Sequence, residues 1–275
     1  MNSSPIPAVF VGHGSPMNAV EDNPWAPKWR ALGQQLGEVR GIVCISAHWY
    51  TNGTGVTAVS TPRTIHDFSG FPTELYQVQY PAPGSPDLAT RVAQVLAPLD
   101  VVLDVEWGLD HGTWSVLVHM FPDASIPVIQ LSIDATQPGA FHYDLGRRLE
   151  VLRHEGILVL GSGNIVHNLR ATFTAPGGLS AAPFDWTRRF DATVRTLIEA
   201  REDKSLAHYD ELGDDARLSI PTPDHYLPFL YCLGARREDE VVQYPADGFQ
   251  GAGLSMLAIA FGELPRLEGA SPATT

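Results

Sequence analysis

The sequence predicts an α/β fold: a single domain with a mixed, largely parallel central sheet flanked by helices. Apolar runs that end in glycine, serine or histidine occur at residues 8–11, 41–46 and 156–161, and such runs are typical of buried strands. A helical segment separates the first two runs. A strand–helix–strand order with continuously apolar strands is typical of a parallel sheet covered on both faces.

The remaining elements follow from local signals. Ser85 before Pro86 provides an N-cap and a proline in the first turn, which favours the start of a helix. Thr222 before Pro223 gives the same signal, and it places His225 in the first turn of a helix. In chain order we expect a helix from Asn23 to about Gly37, a strand at 55–59, a helix from Ser85 to Leu96, a strand at 101–103, a helix ending near Phe121, a strand at 127–133, helices at 138–153, 184–201 and 206–212, and strands at 241–244 and 254–260.

The composition restricts the class of function. The chain has 275 residues, of which 44% are hydrophobic and 18% charged, values typical of a globular protein with a substantial core. A net charge of −13 argues against nucleic acid and anionic membranes as partners, because both require clustered lysine and arginine. Residues 1–5 lack the pattern of a signal peptide. We therefore expect a cytoplasmic protein that acts on a small molecule, as a monomer or small homo-oligomer.

One domain accounts for nearly the whole chain. We expect residues 1–265 to form it, with a disordered tail at 266–275, where the residues are mostly small and polar. Cys44 and Cys232 are the only cysteines, and both lie inside apolar runs. They are expected to be buried thiols rather than a disulfide.

Histidines follow three of the predicted strands. His13, His48 and His167 come after the apolar runs, and a fourth, His225, lies near a predicted helix start. Ligand sites in open parallel sheets lie beyond the carboxyl ends of the strands, so we expect these side chains to converge. Taken alone, His13 is as readily a structural histidine as a ligand. Four convergent histidines predict a metal site assembled from dispersed parts of the chain.

The motifs as a set are similar to a known family. They resemble the 4,5-DOPA extradiol dioxygenase family, within the class III extradiol ring-cleavage dioxygenases, and the similarity runs from about residue 7 to residue 261. The motifs that carry this resemblance are Gly-His-Gly-Ser-Pro-Met at 12–17, Ser-Ala-His-Trp at 46–49, Thr-Ile-His-Asp-Phe at 64–68, Trp-Gly-Leu-Asp-His-Gly-Thr-Trp at 107–114, Gly-Ser-Gly-Asn-Ile-Val-His-Asn-Leu at 161–169 and His-Tyr-Leu-Pro at 225–228.

The resemblance implies a non-haem Fe(II) enzyme that inserts both atoms of O₂ into a catechol. It implies that His13 and His48 are metal ligands and that His225 takes the third position, which is a glutamate in the related protocatechuate enzyme. An all-histidine site also suits zinc, so Zn(II) is a second candidate for the bound metal.

The resemblance also implies roles for other residues. His167 matches the acid/base histidine of the family and is a candidate fourth ligand when zinc is bound, while His111 would hydrogen-bond the substrate or oxygen. His66 and Asp67 fit either loop capping or a lid. The aromatic residues expected to wall a flat substrate ring, as an alternative to plain core packing, are Trp49, Phe71, Tyr80, Trp114 and Tyr226.

Two other functions are compatible with the same residues. A three-histidine zinc site also supports hydrolysis, because zinc lowers the pKa of its bound water to about 7. The third alternative is a metal-binding protein without catalytic turnover. We expect ring cleavage to depend on oxygen and iron, and hydrolysis to proceed without oxygen.

Overall fold

The strands and their order are the framework that positions the candidate site. The computed structural model describes residues 5–265, so the predicted tail at 266–275 lies outside the described residues. The strands are β1 (Ala8–Gly12), β2 (Gly41–Ser46), β3 (Tyr50–Thr51), β4 (Thr54–Thr57), β5 (Val101–Asp104), β6 (Val128–Gln130), β7 (Ile133–Asp134), β8 (Ile157–Gly163), β9 (Val242–Ala246) and β10 (Ala258–Phe261).

Helices occupy most of the segments between the strands. They are α1 (Ala26–Gln35), α2 (Thr73–Tyr76), α3 (Pro86–Val95), α4 (His111–Met120), α5 (Gly139–His154), α6 (Leu169–Thr174), α7 (Asp185–Glu199), α8 (Asp203–Ala207), α9 (Asp214–Ser219) and α10 (Leu227–Gly234). Ser85 caps α3 as the sequence predicts, because its side chain accepts a hydrogen bond from Leu88 N–H. Within residues 5–265, every helix is too short or too polar to cross a lipid bilayer.

The central sheet has the order β6-β2-β8-β1-β10-β9. The four strands from β6 to β1 are parallel to their neighbours, and β10 and β9 are antiparallel. The predicted mixed, largely parallel sheet is therefore confirmed. Since β2, β8 and β1 are adjacent and parallel, the residues that follow them meet at one edge of the sheet.

Alternating side chains of the sheet enter two separate cores. Phe10 of β1 lies in the core on the side of α5 and α10. Its neighbours Val9 and Val11 lie in the core on the side of α1 and α4. Because both faces are covered, every side chain in β1, β2 and β8 is buried, which explains why these strands read as continuous apolar runs.

Two predicted strands are shorter or divided in the structure. The segment predicted as one strand at 127–133 forms β6 and β7, which belong to different sheets. The strand is interrupted at Leu131 and Ser132. The Ser132 hydroxyl oxygen accepts from Gly55 N–H at 2.8 Å and from the Thr51 hydroxyl at 2.9 Å. The strand predicted at 254–260 is regular only from Ala258, and Ser255 N–H donates instead to Val166 O.

Close packing at the end of β8 requires glycine. A Cβ at Gly163 would lie 2.1 Å from His225 O, a distance that real Cβ contacts do not show. The next residue, Asn164, donates its backbone N–H to the same oxygen at 2.9 Å. The absence of a side chain at Gly163 therefore lets the His225 backbone lie directly against the sheet edge.

We expect Gly163→Ala to displace His225 and to destabilise the protein. Overpacking of this kind typically costs about 1–3 kcal/mol, so the melting temperature in thermal unfolding should fall by about 2–10 °C. Gly55→Ala is the matched control, because a Cβ there meets its nearest atom at an ordinary 3.5 Å. Equal melting temperatures for the two variants would contradict the close approach inferred at Gly163.

Candidate metal centre

Three histidines converge at the carboxyl edge of the central sheet. His13 follows β1, His48 follows β2 and His225 precedes α10. Each offers one ring nitrogen, and these nitrogens lie within 4.8 Å of one another. The Nε2 atoms of His13 and His48 are 3.2 Å apart. Metal–imidazole bonds of about 2.0–2.1 Å place ligand nitrogens roughly 3–3.5 Å apart, so this spacing suits one shared ion.

A hydrogen-bond chain fixes the ring of His13. The Ser162 hydroxyl donates to the carbonyl oxygen of Gly112, and the same hydroxyl oxygen lies 3.0 Å from His13 Nδ1. Because the hydroxyl hydrogen points at Gly112, the Ser162 oxygen accepts from Nδ1–H of His13. A neutral imidazole carries one such proton, so the Nε2 lone pair of His13 faces the cluster.

Carboxylates lie behind the other two rings. Asp224 hydrogen-bonds to Nδ1 of His225, and Asp67 Oδ2 lies 3.5 Å from Nδ1 of His48. Burial would raise the pKa of each carboxyl, but its histidine partners lower it below the usual value. Both aspartates are therefore anionic acceptors. They leave the Nε2 atoms of His48 and His225 available to a shared ligand.

Burial keeps His13 and His48 neutral. It is the main cause that lowers the pKa of His13 and of His48 well below the usual value, and repulsion from the neighbouring imidazoles adds to it. Neutral imidazole is the form that binds metal. Donor type, ring orientation and burial together fit a divalent ion of borderline softness, such as Fe²⁺ or Zn²⁺.

His111 lies at the start of helix α4. Asp110 caps α4 by accepting from Thr113 N–H, and His111 is the first helical residue. Asp67 accepts two hydrogen bonds from His111, from the backbone N–H at 2.8 Å and from Nδ1 at 2.9 Å. The rings of His111 and His48 have centroids 3.8 Å apart. Asp67 thus positions His111 and faces His48 with the same carboxylate.

His167 lies beside the cluster and stacks on His225. The two ring centroids are 3.4 Å apart and the planes differ by 4°. Among the described residues, His167 does not belong to either group whose ligand atoms lie within 4.8 Å of one another. The candidate role of His167 as a fourth ligand when zinc is bound therefore stays a prediction. Burial, followed by electrostatic repulsion from the His225 imidazole, lowers the pKa of His167 well below its usual value.

His225 lies in a turn and not in the first turn of a helix, so that prediction is wrong. The backbone N–H groups of Tyr226 and Leu227 both donate to Pro223 O, at 2.9 and 3.0 Å. Helix α10 begins only at Leu227, where Pro228 occupies the first turn. The sequence holds two proline signals within six residues, and the second one marks the helix.

A cavity of about 480 Å³ extends from the cluster towards the surface. Histidines form its buried inner end, exposed apolar side chains lie at its outer end, and Gly14, Ser15 and Ser69 also line it. The histidines are His13, His48, His111, His167 and His225, and the apolar residues are Pro16, Phe68, Phe71, Leu169, Phe173, Leu179 and Leu254.

Most of the aromatic residues expected to wall a ligand lie elsewhere. Of the five, Phe71 lines the cavity. Trp49 is buried and stacks on another tryptophan, with ring centroids 5.6 Å apart. The polar groups of Tyr80, Trp114 and Tyr226 each donate to a backbone carbonyl oxygen within the fold. The placement of Trp49 and Tyr226 contradicts the expectation that they bind substrate.

Sequence reasoning missed the apolar residues of the cavity that follow His167. Leu169 and Phe173 are four residues apart on α6, a spacing that places them on one face of the helix. Phe68 follows the His-Asp pair at 66–67. The i, i+4 spacing directly after a candidate site histidine was a usable signal for Leu169 and Phe173.

Comparison with known proteins shows a consistent set of relatives. The family described as the catalytic LigB subunit of aromatic ring-opening dioxygenase matches residues 7–262. A protein of Escherichia coli (strain K12) named 4,5-DOPA dioxygenase extradiol is 48% identical over 266 residues, which cover 95% of this chain and 97% of that protein. A protein of the same name from Beta vulgaris is 35% identical, covering 90% of this chain and 92% of its own length.

A solved structure supports the same fold. The crystal structure of an uncharacterized protein from Escherichia coli K12 matches with a TM-score of 0.81 and 44% sequence identity. The match covers 94% of this chain and 100% of that chain. The likeness therefore extends over nearly the whole fold.

We expect His13→Ala, His48→Ala and His225→Ala each to lose tight binding of a divalent metal, because each removes one of three ligand nitrogens. The dissociation constant for Zn²⁺, measured by competition with a chelator, should rise by more than the ~10–100-fold typical of an outer-shell partner. His208→Ala is the control, since His208 is exposed and its Nδ1 hydrogen-bonds to Lys204 O in the preceding helical turn. Undiminished binding by any of the three variants would remove that histidine from the proposed ligand set.

Proposed function

The chain belongs to the family of the catalytic LigB subunit of aromatic ring-opening dioxygenase. We propose that it is an extradiol enzyme that opens a catechol ring with O₂. The observation that carries the proposal is the convergence of His13, His48 and His225 at the inner end of a cavity. Relatives named as extradiol dioxygenases cover nearly the full length of the chain and support it.

We propose Fe(II) as the working metal, held by His13, His48 and His225. When bound, Fe(II) supplies the one-electron chemistry that allows a spin-paired ring to react with dioxygen. Three neutral imidazoles bring no negative charge to the ion, so the same set also fits Zn(II). The carboxylates of Asp67 and Asp224 supply negative charge one layer further out.

His167 is the proposed acid/base residue. It lines the cavity, and its ring is held parallel to that of His225. Its backbone N–H donates to Ser219 O at 2.9 Å, which fixes the chain at this point. As a neutral imidazole it accepts the proton of a catechol hydroxyl when the ring binds, and it returns that proton to the ring-opened product.

His111 is proposed to bind the substrate through Nε2. Its Nδ1 proton is directed at Asp67, so the Nε2 lone pair remains as an acceptor for a catechol hydroxyl. Asp67 acts through His111 and is a positioning residue. Its two hydrogen bonds to the ring and backbone of His111 leave little freedom for that ring.

The three-histidine donor set also favours a second candidate, zinc-dependent hydrolysis. Catalytic zinc sites use three protein ligands and keep an open position for water. Such an enzyme would work without oxygen. A metal-binding protein without turnover would bind either ion and transform no catechol.

We expect protein reconstituted anaerobically with Fe(II) to consume one O₂ per catechol and to form a yellow ring-opened product, and protein loaded with Zn(II) to do neither. His167→Ala should lower kcat by about 10²–10⁴-fold, the usual contribution of general acid–base catalysis, while iron content is kept. An oxygen electrode and metal analysis measure both quantities. The exposed histidine variant His154→Ala is the control.

The alternatives give different results in this assay. Catalysis that persists without oxygen and rises with zinc would contradict ring cleavage and favour the hydrolase. No turnover with either metal across simple catechols and L-DOPA would contradict both enzymatic proposals.

Replacing Asp67 with asparagine tests its positioning role. The amide offers one acceptor oxygen instead of two, so one of its N–H groups faces Nδ1 of His111 and favours the other tautomer. We expect kcat/KM to fall by about 10–100-fold. In a His111→Ala background the same substitution should cost less than it does alone, because the interaction between Asp67 and His111 is already lost there, and the residual cost reports the contact of Asp67 with His48. Fully additive losses would contradict the assignment.

A further inference from the structure

The outer end of the cavity differs sharply in chemistry from the inner end. We propose that this apolar wall, formed by Phe68, Phe71, Leu169, Phe173 and Leu179, selects catechols that carry an uncharged, apolar substituent. The inference rests on the proposed function, because the histidine end takes the catechol ring. The substituent on the ring would be uncharged and apolar, unlike the amino acid side chain of DOPA.

The lining of the cavity offers no carboxylate, lysine or arginine to pair with a charged substituent; its polar side chains are histidines, Ser15 and Ser69. Among the described residues that line it, none is aspartate, glutamate, lysine or arginine. The two nearest carboxylates in the site already serve the histidines, since Asp67 bonds to His111 and Asp224 bonds to His225. An ammonium or a carboxylate placed against the wall would therefore lose water without gaining an ion pair.

Three residues of the wall leave apolar surface exposed at the mouth of the cavity. Leu169 is 41% exposed, Phe173 63% and Leu179 37%. They lie close together in the chain, on α6 and on the short 3-10 turn at Gly178–Ser180. Single exposed apolar residues are ordinary, but a group of them around a cavity is typical of a ligand site.

The balance of free energies favours a neutral substituent. Each methylene that moves from water to an apolar surface strengthens binding by about fourfold. A charged group at the same place gains nothing from that surface and is desolvated. DOPA carries both an ammonium and a carboxylate close to the ring, so both would lie against Phe68 and Phe173 or be held away from the wall.

One arginine is close in sequence and needs a separate control. Arg170 follows Leu169 in α6, but its side chain does not line the cavity. If Arg170 turned inward to hold a carboxylate, a substrate acid would bind better than its ester. The proposal predicts the opposite order.

Binding to Zn(II)-loaded protein tests the inference without ring cleavage. The probes are 3-(3,4-dihydroxyphenyl)propanoate, its methyl ester, dopamine and 4-propylcatechol, with dissociation constants from calorimetry. We expect the ester and 4-propylcatechol to bind at least tenfold more tightly than the acid and dopamine. Equal or tighter binding of the charged members, or no binding of any catechol, would overturn the inference.

A lysine in the wall should reverse the preference. Phe173→Lys places a cation at a position that is largely exposed, and we expect the acid to gain on the ester by at least tenfold. Phe184→Lys is the matched control, because it makes the same change in net charge at a partly exposed phenylalanine outside the cavity. Leu169→Lys is a second wall variant should Phe173→Lys fold poorly. Equal effects of Phe173→Lys and Phe184→Lys would show long-range charge instead of a subsite and would overturn the inference.

The two proposals fail in distinguishable ways. If the ester binds more tightly than the acid but Fe(II)-loaded protein opens no ring, ring cleavage is contradicted and the apolar subsite stands. If rings are opened and DOPA is preferred over 4-propylcatechol in kcat/KM, the subsite is contradicted and ring cleavage stands.

Discussion

The hydrogen bond between Ser162 and Nδ1 of His13 joins three elements on which the site depends. Ser162 belongs to β8, His13 follows β1, and the serine hydroxyl in turn donates to Gly112 in the first turn of α4. Gly112 has no room for a side chain, since a Cβ there would lie 2.4 Å from Ser46 Oγ and 2.9 Å from the His48 ring. The sheet edge and the start of α4 are therefore locked together, and the direction of the His13 ring follows from that contact.

The charges around the histidine cluster are arranged in two layers. The inner cluster consists of imidazole rings, and the negative charges of Asp67 and Asp224 lie behind them. A divalent ion would then meet three imidazole nitrogens, with two carboxylates one layer further out. In the proposed ligand set, His225 with its aspartate partner takes the position that the resemblance gives to a carboxylate ligand in the related protocatechuate enzyme. Such a set would keep a nearby negative charge while all three protein donor atoms are nitrogen.

The sequence was sufficient for the sheet and for the residues at its strand ends. His13 and His48 could be predicted because a continuous apolar run marks a buried parallel strand, and the carboxyl end of such a strand is a fixed place in the fold. Asp67 and Phe173 could not be placed in this way, because their positions depend on how long loops and short helices fold back over the edge. The prediction that Trp49 lines the cavity was wrong for a related reason. An aromatic side chain suits a cavity wall and a hydrophobic core equally well, and only the packing of the fold decides between them.

The coordination shell of the metal gives the sharpest test of the proposed ligand set. X-ray absorption at the iron edge of protein loaded anaerobically with Fe(II) reports the number of imidazole ligands through the outer scattering of their rings. We expect three, contributed by His13, His48 and His225, with oxygen donors completing the shell. Fewer than three imidazoles, or a signal from sulfur, would contradict the orientation of three Nε2 atoms toward one ion.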